Sequence, residues 1–294
     1  MSYRRRGEAT PTIWAWATQT TEGTLIVLGA VAVLLLAWFA SPLGDWVVHA
    51  VVSTIPLSED VALGLQAVAS EQFRYAEDDH GIPALGRRLV AASPELAKSG
   101  IPFSFRVIKQ EGVVNAFAFP GGPIFVTEEL VRQLRATGPE LAAVLGHEMG
   151  HVIHRHSQQS IVKRQIVPFL LSVLFHADDD DREESFGEAT GEMLLRFAGE
   201  IGELAFSRAN EYEADDVSWQ LLLAAGFDPR ALRSFFSKLL LLGGSGDSRA
   251  AAGGLSAVSL MMSTHPATEE RIRMLERRWA ELPAAERRRI ELRS

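Results

Sequence analysis

The pattern of apolar and polar residues predicts a membrane-spanning helix near the N-terminus. From Gly23 to Gly44 the chain has no charged side chain, which is about the length needed to cross a hydrocarbon core of about 30 Å. A buried core helix of this length would normally carry a polar stripe, and this run has none. A cleaved signal peptide is the alternative, but the run is long for one and no small-x-small cleavage site follows it.

Helical and β-type patterns then follow one another. Helical periodicity predicts helices at 58–75, with Ser58 as N-cap, and at 82–92, with Pro83 in the first turn. Between Phe103 and Thr127, short β-rich runs are broken by turn residues, which predicts a small antiparallel sheet. Thr127 is the predicted N-cap of the next helix.

The second half of the chain reads as mainly helical. Further helices are predicted at 138–165, 189–206 and 207–225, after Pro229, and in the Arg-rich C-terminal segment. The acidic stretch 177–184 reads as a solvated loop, and 243–254 as a flexible Gly- and Ser-rich connection. The predicted organisation is an N-terminal cytoplasmic segment at 1–22, an anchor at 23–44, a linker at 45–57 and one domain at 58–294.

Composition narrows the functional classes. The formal net charge is -8 and the pI is about 5.6, which argues against a nucleic-acid-binding surface. Hydrophobic residues make up 47% of the chain, enough for a sizeable core. Cysteine is absent, so disulfides and thiolate metal sites are excluded. Any zinc site must therefore use histidine and carboxylate ligands.

The segment "LGHEMGHVIHRH", residues 145–156, carries the clearest chemical signal. His147, Glu148 and His151 form HExxH, in which the two histidines project from the same helix face one turn apart and can reach one ion. Glu148 beside them can reach a water on that ion. The surrounding residues predict a mostly buried helix, where an unpartnered carboxylate costs several kcal/mol. A bound cation would remove that cost, whereas the alternative is an amphipathic helix with a polar face.

A hydrolytic zinc site has three protein ligands and a water, so a third ligand is expected downstream. The candidate segment is "SRANEYEADD", residues 207–216, which is predicted to be helical. Glu211 and Asp215 are four residues apart and share a face, whereas Glu213 points elsewhere. We therefore predict Glu211 as the third ligand and Asp215 as the acceptor for the N–H of a ligand histidine. Without HExxH, an exposed acidic helix would be the simpler reading.

Four stretches together resemble a known family. "NAFAFPGGPIFVT", "LAAVLGHEMGHVIHRHS", "SRANEYEADD" and "THPATEERI" occur in the order found in gluzincin endopeptidases, which include CAAX prenyl proteases, HtpX-type membrane proteases and mitochondrial Oma-type proteases. The resemblance covers about Ser58 to Trp279. It implies a mainly helical α+β gluzincin domain, with one Zn²⁺ held by His147, His151 and Glu211 and with Glu148 as catalytic acid/base.

The resemblance also assigns residues beyond the metal. It implies that His265 and Arg271 belong to the substrate side of the cleft. A tetrahedral oxyanion needs a donor besides the metal, and His265, helped by Arg271, is the candidate. The alternatives for His265 are a structural role and an inhibitory fourth position on the zinc. The segment between the motifs lacks the two strong transmembrane spans of HtpX-type proteins, so the sequence looks more like a single-anchor relative.

The strand "VVNAFAF" is the candidate substrate-binding element. If it forms the sheet edge beside the zinc, an extended substrate can add as a further strand along Asn115, Ala116, Phe117, Ala118 and Phe119. Plain core β-structure is the alternative for each of these side chains. Of the other histidines, His156 is expected to lie off the ligand face because it is five residues beyond His151. The remaining ones are interpreted as surface or capping groups: His49, His80, His154 and His176.

The resulting prediction is a zinc endopeptidase anchored in a bacterial inner membrane. Arg4, Arg5 and Arg6 precede the span, so the positive-inside tendency leaves the N-terminus in the cytoplasm and the domain outside it. The expected partners are extended or misfolded polypeptides and the lipid bilayer, with no nucleic acid. The alternatives are a chaperone-like protein that keeps the zinc fold but only holds clients, and a multi-pass intramembrane protease. The sequence leaves the oligomeric state and cleavage preference open.

Overall fold

The computed structural model describes residues 29–30, 41–70, 73–77, 81–164, 206–244 and 258–292. The chain divides into two compact units: Met1–Ser53 with Val162–Arg182, and Thr54–Ile161 with Glu183–Ser294. Most of the predicted anchor 23–44, the acidic loop 177–184 and nearly all of the predicted helix 189–206 lie outside the described residues.

The described chain is mainly helical with one small sheet. Its helices are α1 Pro42–Thr54, α2 Leu57–Ser70, α3 Ile82–Ala92, α4 Pro94–Lys98, α5 Glu128–Leu134, α6 Gly138–Ile153, α7 Arg208–Ala224, α8 Arg230–Gly244, α9 Ser259–Thr264, α10 Glu269–Glu281 and α11 Ala284–Glu291. Its strands are β1 Ser104–Ile108, β2 Ala116–Ala118 and β3 Pro123–Thr127.

Within the described ranges no single helix has both the length and the apolar character to cross a membrane. The consecutive helices Gly44–Thr54 and Leu57–Ala69 are long and apolar enough only when they are counted together, and the chain bends by 91° between them. In the smaller unit, Lys163 forms an ion pair with Asp45 of α1. Residues 45–57, predicted to be a linker, are largely helical.

The sheet is mixed, whereas an antiparallel sheet was predicted. The strand order is β1-β3-β2, with β1 parallel to β3 and β2 antiparallel to it. Every residue of β3 is buried, as is typical of a strand covered on both faces, and β3 therefore takes the centre. The chain reverses direction between β1 and β2 and again between β2 and β3. Strands β1 and β3 therefore run in the same direction. The prediction of the strands themselves is confirmed.

Several helix ends follow local rules. Helix α3 begins at Ile82 with Pro83 in its first turn, as predicted. The Thr127 side chain accepts a hydrogen bond from the N–H of Leu130 and caps α5, also as predicted. Ser58 is not an N-cap, because α2 already begins at Leu57. Helix α7 begins after Ser207, whose hydroxyl oxygen accepts a hydrogen bond from the N–H of Asn210.

The HExxH helix α6 ends at Ile153 and does not continue to residue 165 as predicted. Arg155 has φ 57, in the left-handed region, and a second helical segment begins at residue 156. The Arg155 guanidinium donates to the carbonyl oxygen of Ile55 at 2.9 Å and to Asp60 at 2.6 Å. These long-range contacts hold a conformation that a non-glycine residue rarely adopts.

The N-terminus of α6 is fixed by buried polar contacts. The Thr137 N–H donates to the Glu140 carboxylate at 2.8 Å, which closes one arm of a capping box. Lys238 and Ser234 of α8 each donate to the same carboxylate at 2.6 Å. Glu140 is buried, and although burial raises its pKa, these hydrogen bonds outweigh that effect and hold the pKa below its usual value. This network joins α6 to α8.

Candidate metal centre

Helix α6 places two histidine rings side by side. His147 and His151 are four residues apart and face the same way, so that their Nε2 atoms lie 3.1 Å from each other. Both rings are buried. This is the arrangement that the HExxH spacing predicts, and it leaves the two Nε2 atoms directed at a common point.

Helix α7 adds a carboxylate to this point. Glu211 Oε2 lies 3.4 Å from His147 Nε2, and Glu211 Oε1 lies 3.5 Å from His151 Nε2. Glu211 is buried. Burial raises its pKa, but the neighbouring His265 and His147 more than reverse this and hold the pKa far below its usual value. The carboxylate is therefore ionised and available as a ligand.

His265, at the C-cap of α9, completes the group. Its Nδ1 lies 3.3 Å from His147 Nε2 and 3.1 Å from Glu211 Oε1. The ring is 3% exposed. His265 was predicted to lie in the cleft, and the structure brings it into the same cluster as His147, His151 and Glu211.

The spacing of these donor atoms fits a tetrahedral zinc ion. Zinc bonds to nitrogen and oxygen of about 2.0 to 2.1 Å give tetrahedron edges of about 3.3 Å. The ligand-to-ligand distances quoted above run from 3.1 to 3.5 Å. Histidine and carboxylate are the donors that zinc takes in a chain without cysteine. The residues present therefore fit this metal.

Two further charged groups lie behind the donors. Asp215 Oδ1 is 3.0 Å from His147 Nδ1, on the ring edge away from the common point. Burial lowers the pKa of His147, but Asp215 and Glu211 outweigh it and raise the pKa to about 9. Arg271 lies 2.6 Å from both Asp215 and Glu211 and donates to the carbonyl oxygen of Pro266 at 2.8 Å. The buried guanidinium thus pairs with two buried carboxylates and offsets part of their charge.

Glu148 lies next to the cluster. It is 1% exposed, and its Oε1 is 3.6 Å from His265 Nε2. Within the described part of the chain this oxygen has no hydrogen-bond partner. Burial raises the pKa of Glu148, while electrostatic interactions with His265 and His147 act in the opposite direction. A buried carboxylate with a raised pKa beside a metal site fits a group that accepts and returns a proton.

Sequence reasoning missed three residues of this region. His156 was expected to lie off the ligand face, but it is fully buried and its Nδ1 lies 2.9 Å from His151 Nδ1. Its Nε2 lies 3.0 Å from Glu213 Oε2. Phe206 stacks on the His151 ring with centroids 4.1 Å apart. Residues 147–156 were read as one unbroken helix, which would have pointed His156 away from the site, and the break at Arg155 was not foreseen.

The two remaining histidines within the described ranges, His49 and His154, are not part of the cluster. His154 occupies the C-cap position of α6 and is partly exposed, and His49 is exposed, in line with their interpretation as surface or capping groups. His80 and His176 lie outside the described residues.

The predicted substrate strand forms β2, at one edge of the sheet. β2 lies at one edge, paired only with β3 among the described strands, and α6 packs against it. The side chains from Asn115 to Phe119 are buried. Phe117 and Phe119 pack with Phe125 and Phe73 in an apolar cluster. The strand is therefore adjacent to the HExxH helix, with its side chains packed in the protein.

Comparison with known proteins identifies the domain. Residues 79–279 match the family model "Peptidase family M48". The chain is 33% identical over 176 residues to mitochondrial metalloendopeptidase OMA1 of Arabidopsis thaliana, covering 60% of this chain and 31% of that protein. It is 32% identical over 197 residues to the beta-barrel assembly-enhancing protease of Yersinia pestis, covering 65% and 37%.

A third relative is metalloprotease LoiP of Escherichia coli, 32% identical over 177 residues, or 59% of this chain and 61% of LoiP. The matches thus span from about a third to somewhat under two thirds of the length of these three relatives. The family match covers well over half of the chain and includes all the residues of the cluster. The chain therefore belongs to peptidase family M48 and carries the zinc metallopeptidase domain of that family.

Proposed function

We propose that the protein is a membrane-anchored zinc metalloendopeptidase that hydrolyses extended or misfolded polypeptides. The observation that carries this proposal is the buried set of donor atoms on His147, His151 and Glu211, spaced like the corners of a tetrahedron, with Glu148 beside it. Family membership supports the reaction class. The names of the relatives, a metalloendopeptidase and two proteases, point the same way.

In this proposal His147 and His151 hold zinc through Nε2, and Glu211 holds it through its carboxylate. When bound, zinc supplies Lewis acidity that activates water and polarises the scissile carbonyl. Glu148 accepts a proton from the attacking water at its free oxygen and then returns it to the leaving amine. Asp215 accepts from His147 Nδ1 and fixes the orientation of that ring.

In this proposal His265 and Arg271 act on the metal site without taking part in the proton transfer. His265 Nδ1 lies at the fourth corner of the donor set, which makes the described conformation a closed site, whereas catalytic zinc keeps one position open. We assign His265 to this fourth position and infer that it must move before a substrate carbonyl can enter. Arg271 is a positioning residue, since its guanidinium holds Asp215 and Glu211 in place.

The substrate enters as an extended strand in our proposal. Among the described strands β2 lies at the sheet edge next to α6, and backbone pairing along it would bind polypeptides with little regard to sequence. The residues of this strand are buried, backbone included, and the backbone groups at both of its ends already bond within the sheet and its turn. Substrate pairing would therefore use the backbone N–H and C=O groups of 116–118, once the chain that covers them has moved. Such binding suits unfolded clients, because folded proteins rarely offer a free extended segment.

Our proposal for the membrane anchor and the cellular location is based on the N-terminal sequence. We propose that 23–44 forms one transmembrane helix in a bacterial inner membrane, that 1–22 is cytoplasmic, and that the domain at 58–294 lies on the outer side. The absence of charge across the span and the preceding Arg4, Arg5 and Arg6 support this orientation.

The test is zinc analysis and cleavage of an unfolded protein such as casein by the full-length chain purified in detergent. Wild type should bind one zinc and cleave, whereas Glu148→Gln should bind one zinc and lose at least about a hundredfold in rate. Glu111→Gln, in an exposed turn, is the matched control and should behave as wild type. Client binding without cleavage by the wild type would instead favour a chaperone-like role.

A further inference from the structure

The two ligand histidines are supported in different ways. His147 reaches the carboxylate of Asp215 directly through its Nδ1, at 3.0 Å. His151 reaches a second imidazole, with its Nδ1 2.9 Å from His156 Nδ1. The far nitrogen of that ring, His156 Nε2, lies 3.0 Å from Glu213 Oε2. An imidazole therefore stands between one ligand and its carboxylate.

The proton positions along this chain of contacts follow from the ligand role of His151. If Nε2 of His151 binds zinc, its Nδ1 carries the remaining hydrogen and donates. His156 Nδ1 must then accept, so the hydrogen of a neutral His156 ring is on Nε2. That N–H donates to the carboxylate of Glu213. Each of the two short contacts therefore has one donor and one acceptor.

We propose that His156 and Glu213 form a positioning relay, which fixes the tautomer and orientation of the zinc ligand His151. This inference rests on the proposed zinc site and deepens it. In metal sites, the group that accepts from a ligand histidine makes the ligand more basic and fixes its ring, and its loss weakens metal affinity or activity about 10- to 100-fold. Here that group is an imidazole, polarised by a carboxylate at the surface.

The chain makes a costly turn to place His156. In an unbroken helix the side chain at position 156 would point away from position 151. The break after Ile153 turns it toward His151 instead. Arg155 takes the left-handed conformation at the break and is held by the buried Asp60 and the carbonyl oxygen of Ile55. The result is a fully buried polar ring whose two nitrogens both meet partners. A ring needed only to fill space would not require two such partners.

A second metal ion is the competing explanation for the same residues. His154, His156 and Glu213 have donor atoms within 4.8 Å of one another. However, the rings of His154 and His156 stack nearly parallel, with centroids 5.5 Å apart and an interplanar angle of 12°, and stacked rings do not aim at one ion. An ion here would also take His156 Nε2 or Glu213 and break the relay. The two explanations therefore predict different zinc counts.

The experiment compares the full-length protein with four variants. His156→Leu removes both nitrogens, whereas His156→Asn keeps an oxygen acceptor near the position of Nδ1. Glu213→Gln keeps a weaker acceptor at a half-exposed site. His154→Gln is the matched control, since His154 neighbours His156 in the chain and stacks on it. Zinc affinity is measured by chelator competition, and the visible spectrum of the Co²⁺-loaded protein reports ligand geometry.

We expect one zinc per chain in all five proteins. His156→Leu should bind it about 10- to 100-fold more weakly and show a shifted Co²⁺ spectrum. His156→Asn should recover most of the affinity. Glu213→Gln should lose about two- to tenfold and show a smaller shift of the Co²⁺ spectrum, because the amide is a weaker acceptor but water can screen and replace an exposed group. His154→Gln should match the wild type in both measurements.

Three results would overturn the relay: wild-type affinity and spectrum in His156→Leu, an equal loss in His154→Gln, or a second tightly bound zinc in the wild type that disappears with His154→Gln. If His156→Leu fails to fold, Glu213→Gln decides, since a surface change should leave folding intact and an unchanged Co²⁺ spectrum would count against the relay. If the wild-type protein binds no zinc, the proposed function itself is wrong.

Discussion

Gly150 of the HExxH helix lies directly against the backbone of Ala214 on α7. A Cβ atom at Gly150 would stand only 2.7 Å from Ala214 Cα, closer than real contacts allow. Gly146, one turn earlier, faces Ser218 in the same way, and the Ser218 hydroxyl donates to the carbonyl oxygen of Ala143 at 2.7 Å. Because the two helices meet backbone to backbone here, Glu211 reaches the histidines of a segment about 60 residues earlier in the chain.

Gly150→Ala should force the two helices apart. Overpacking of this kind costs about 1 to 3 kcal/mol of unfolding free energy, and displacing Glu211 should also weaken zinc binding. Denaturant unfolding of the metal-free protein measures the first effect and chelator competition the second. Gly138→Ala is the control, since a Cβ there meets nothing within 4 Å. Equal stability and zinc affinity in the two variants would contradict this view of the helix contact.

Arg271→Met should destabilise the metal-free protein strongly. Removing the guanidinium leaves Asp215 and Glu211 buried without their cation, which costs about 3 to 5 kcal/mol. Bound zinc should reduce the difference in unfolding free energy between Arg271→Met and the wild type, because the metal cation replaces the lost positive charge. Unfolding is followed with excess chelator and again with zinc.

Arg273→Met provides the comparison, because Arg273 is exposed on the same helix and its ion pair within the described ranges is with the exposed Glu269. Its loss should change stability by less than about 0.5 kcal/mol under both conditions. A similar small effect for Arg271→Met would show that the buried pairs do not support the site.

Glu140→Gln should lower stability by about 1 to 3 kcal/mol at neutral pH, because the charge-assisted bonds from Lys238 and Ser234 are weakened. The pKa of Glu140 is held below its ordinary value of 4.5, so its contribution is fully present above about that pH. As pH falls through the folded-state pKa, the carboxylate becomes protonated and the contribution is lost. The stability gap between wild type and variant should therefore close in acid.

Denaturant unfolding between neutral pH and about pH 3 measures this gap. Glu281→Gln, at an exposed position, should show no gap at either end of the range. A gap for Glu140→Gln that is independent of pH would mean that side-chain shape, not charge, stabilises the start of α6.

His265→Ala tests whether this ring closes the fourth zinc position. Since His265 Nδ1 lies 3.3 Å from His147 Nε2 and at the fourth corner of the donor set, its removal should weaken zinc binding and open the site. We expect the rate of peptide cleavage per zinc-loaded molecule to rise. A fall in that rate, with zinc retained, would instead assign His265 to stabilising the oxyanion, which is worth about 3 to 4 kcal/mol.

Local rules were enough to predict much of this site. The i,i+4 spacing predicts that His147 and His151 share a face, and likewise Glu211 and Asp215, while the Thr127 cap and the start of α3 at Ile82 follow from residue preferences. The structure brings these groups together as the spacing suggests.

The parts that could not be predicted depend on distant partners. The break at Arg155 needs Asp60, which is 95 residues away, and an arginine gives no local signal for a left-handed residue. His156 enters the site only because of that break. The parallel pairing of β1 with β3 depends on which strand takes the sheet centre, which alternation within each strand does not encode.

The most direct test of the central claim is anomalous diffraction at the zinc edge from crystals of the zinc-loaded protein. We predict one peak, about 2.0 to 2.2 Å from Nε2 of His147, Nε2 of His151 and a carboxylate oxygen of Glu211. A structure with no peak between these three residues, or with zinc held elsewhere while they remain apart, would contradict it.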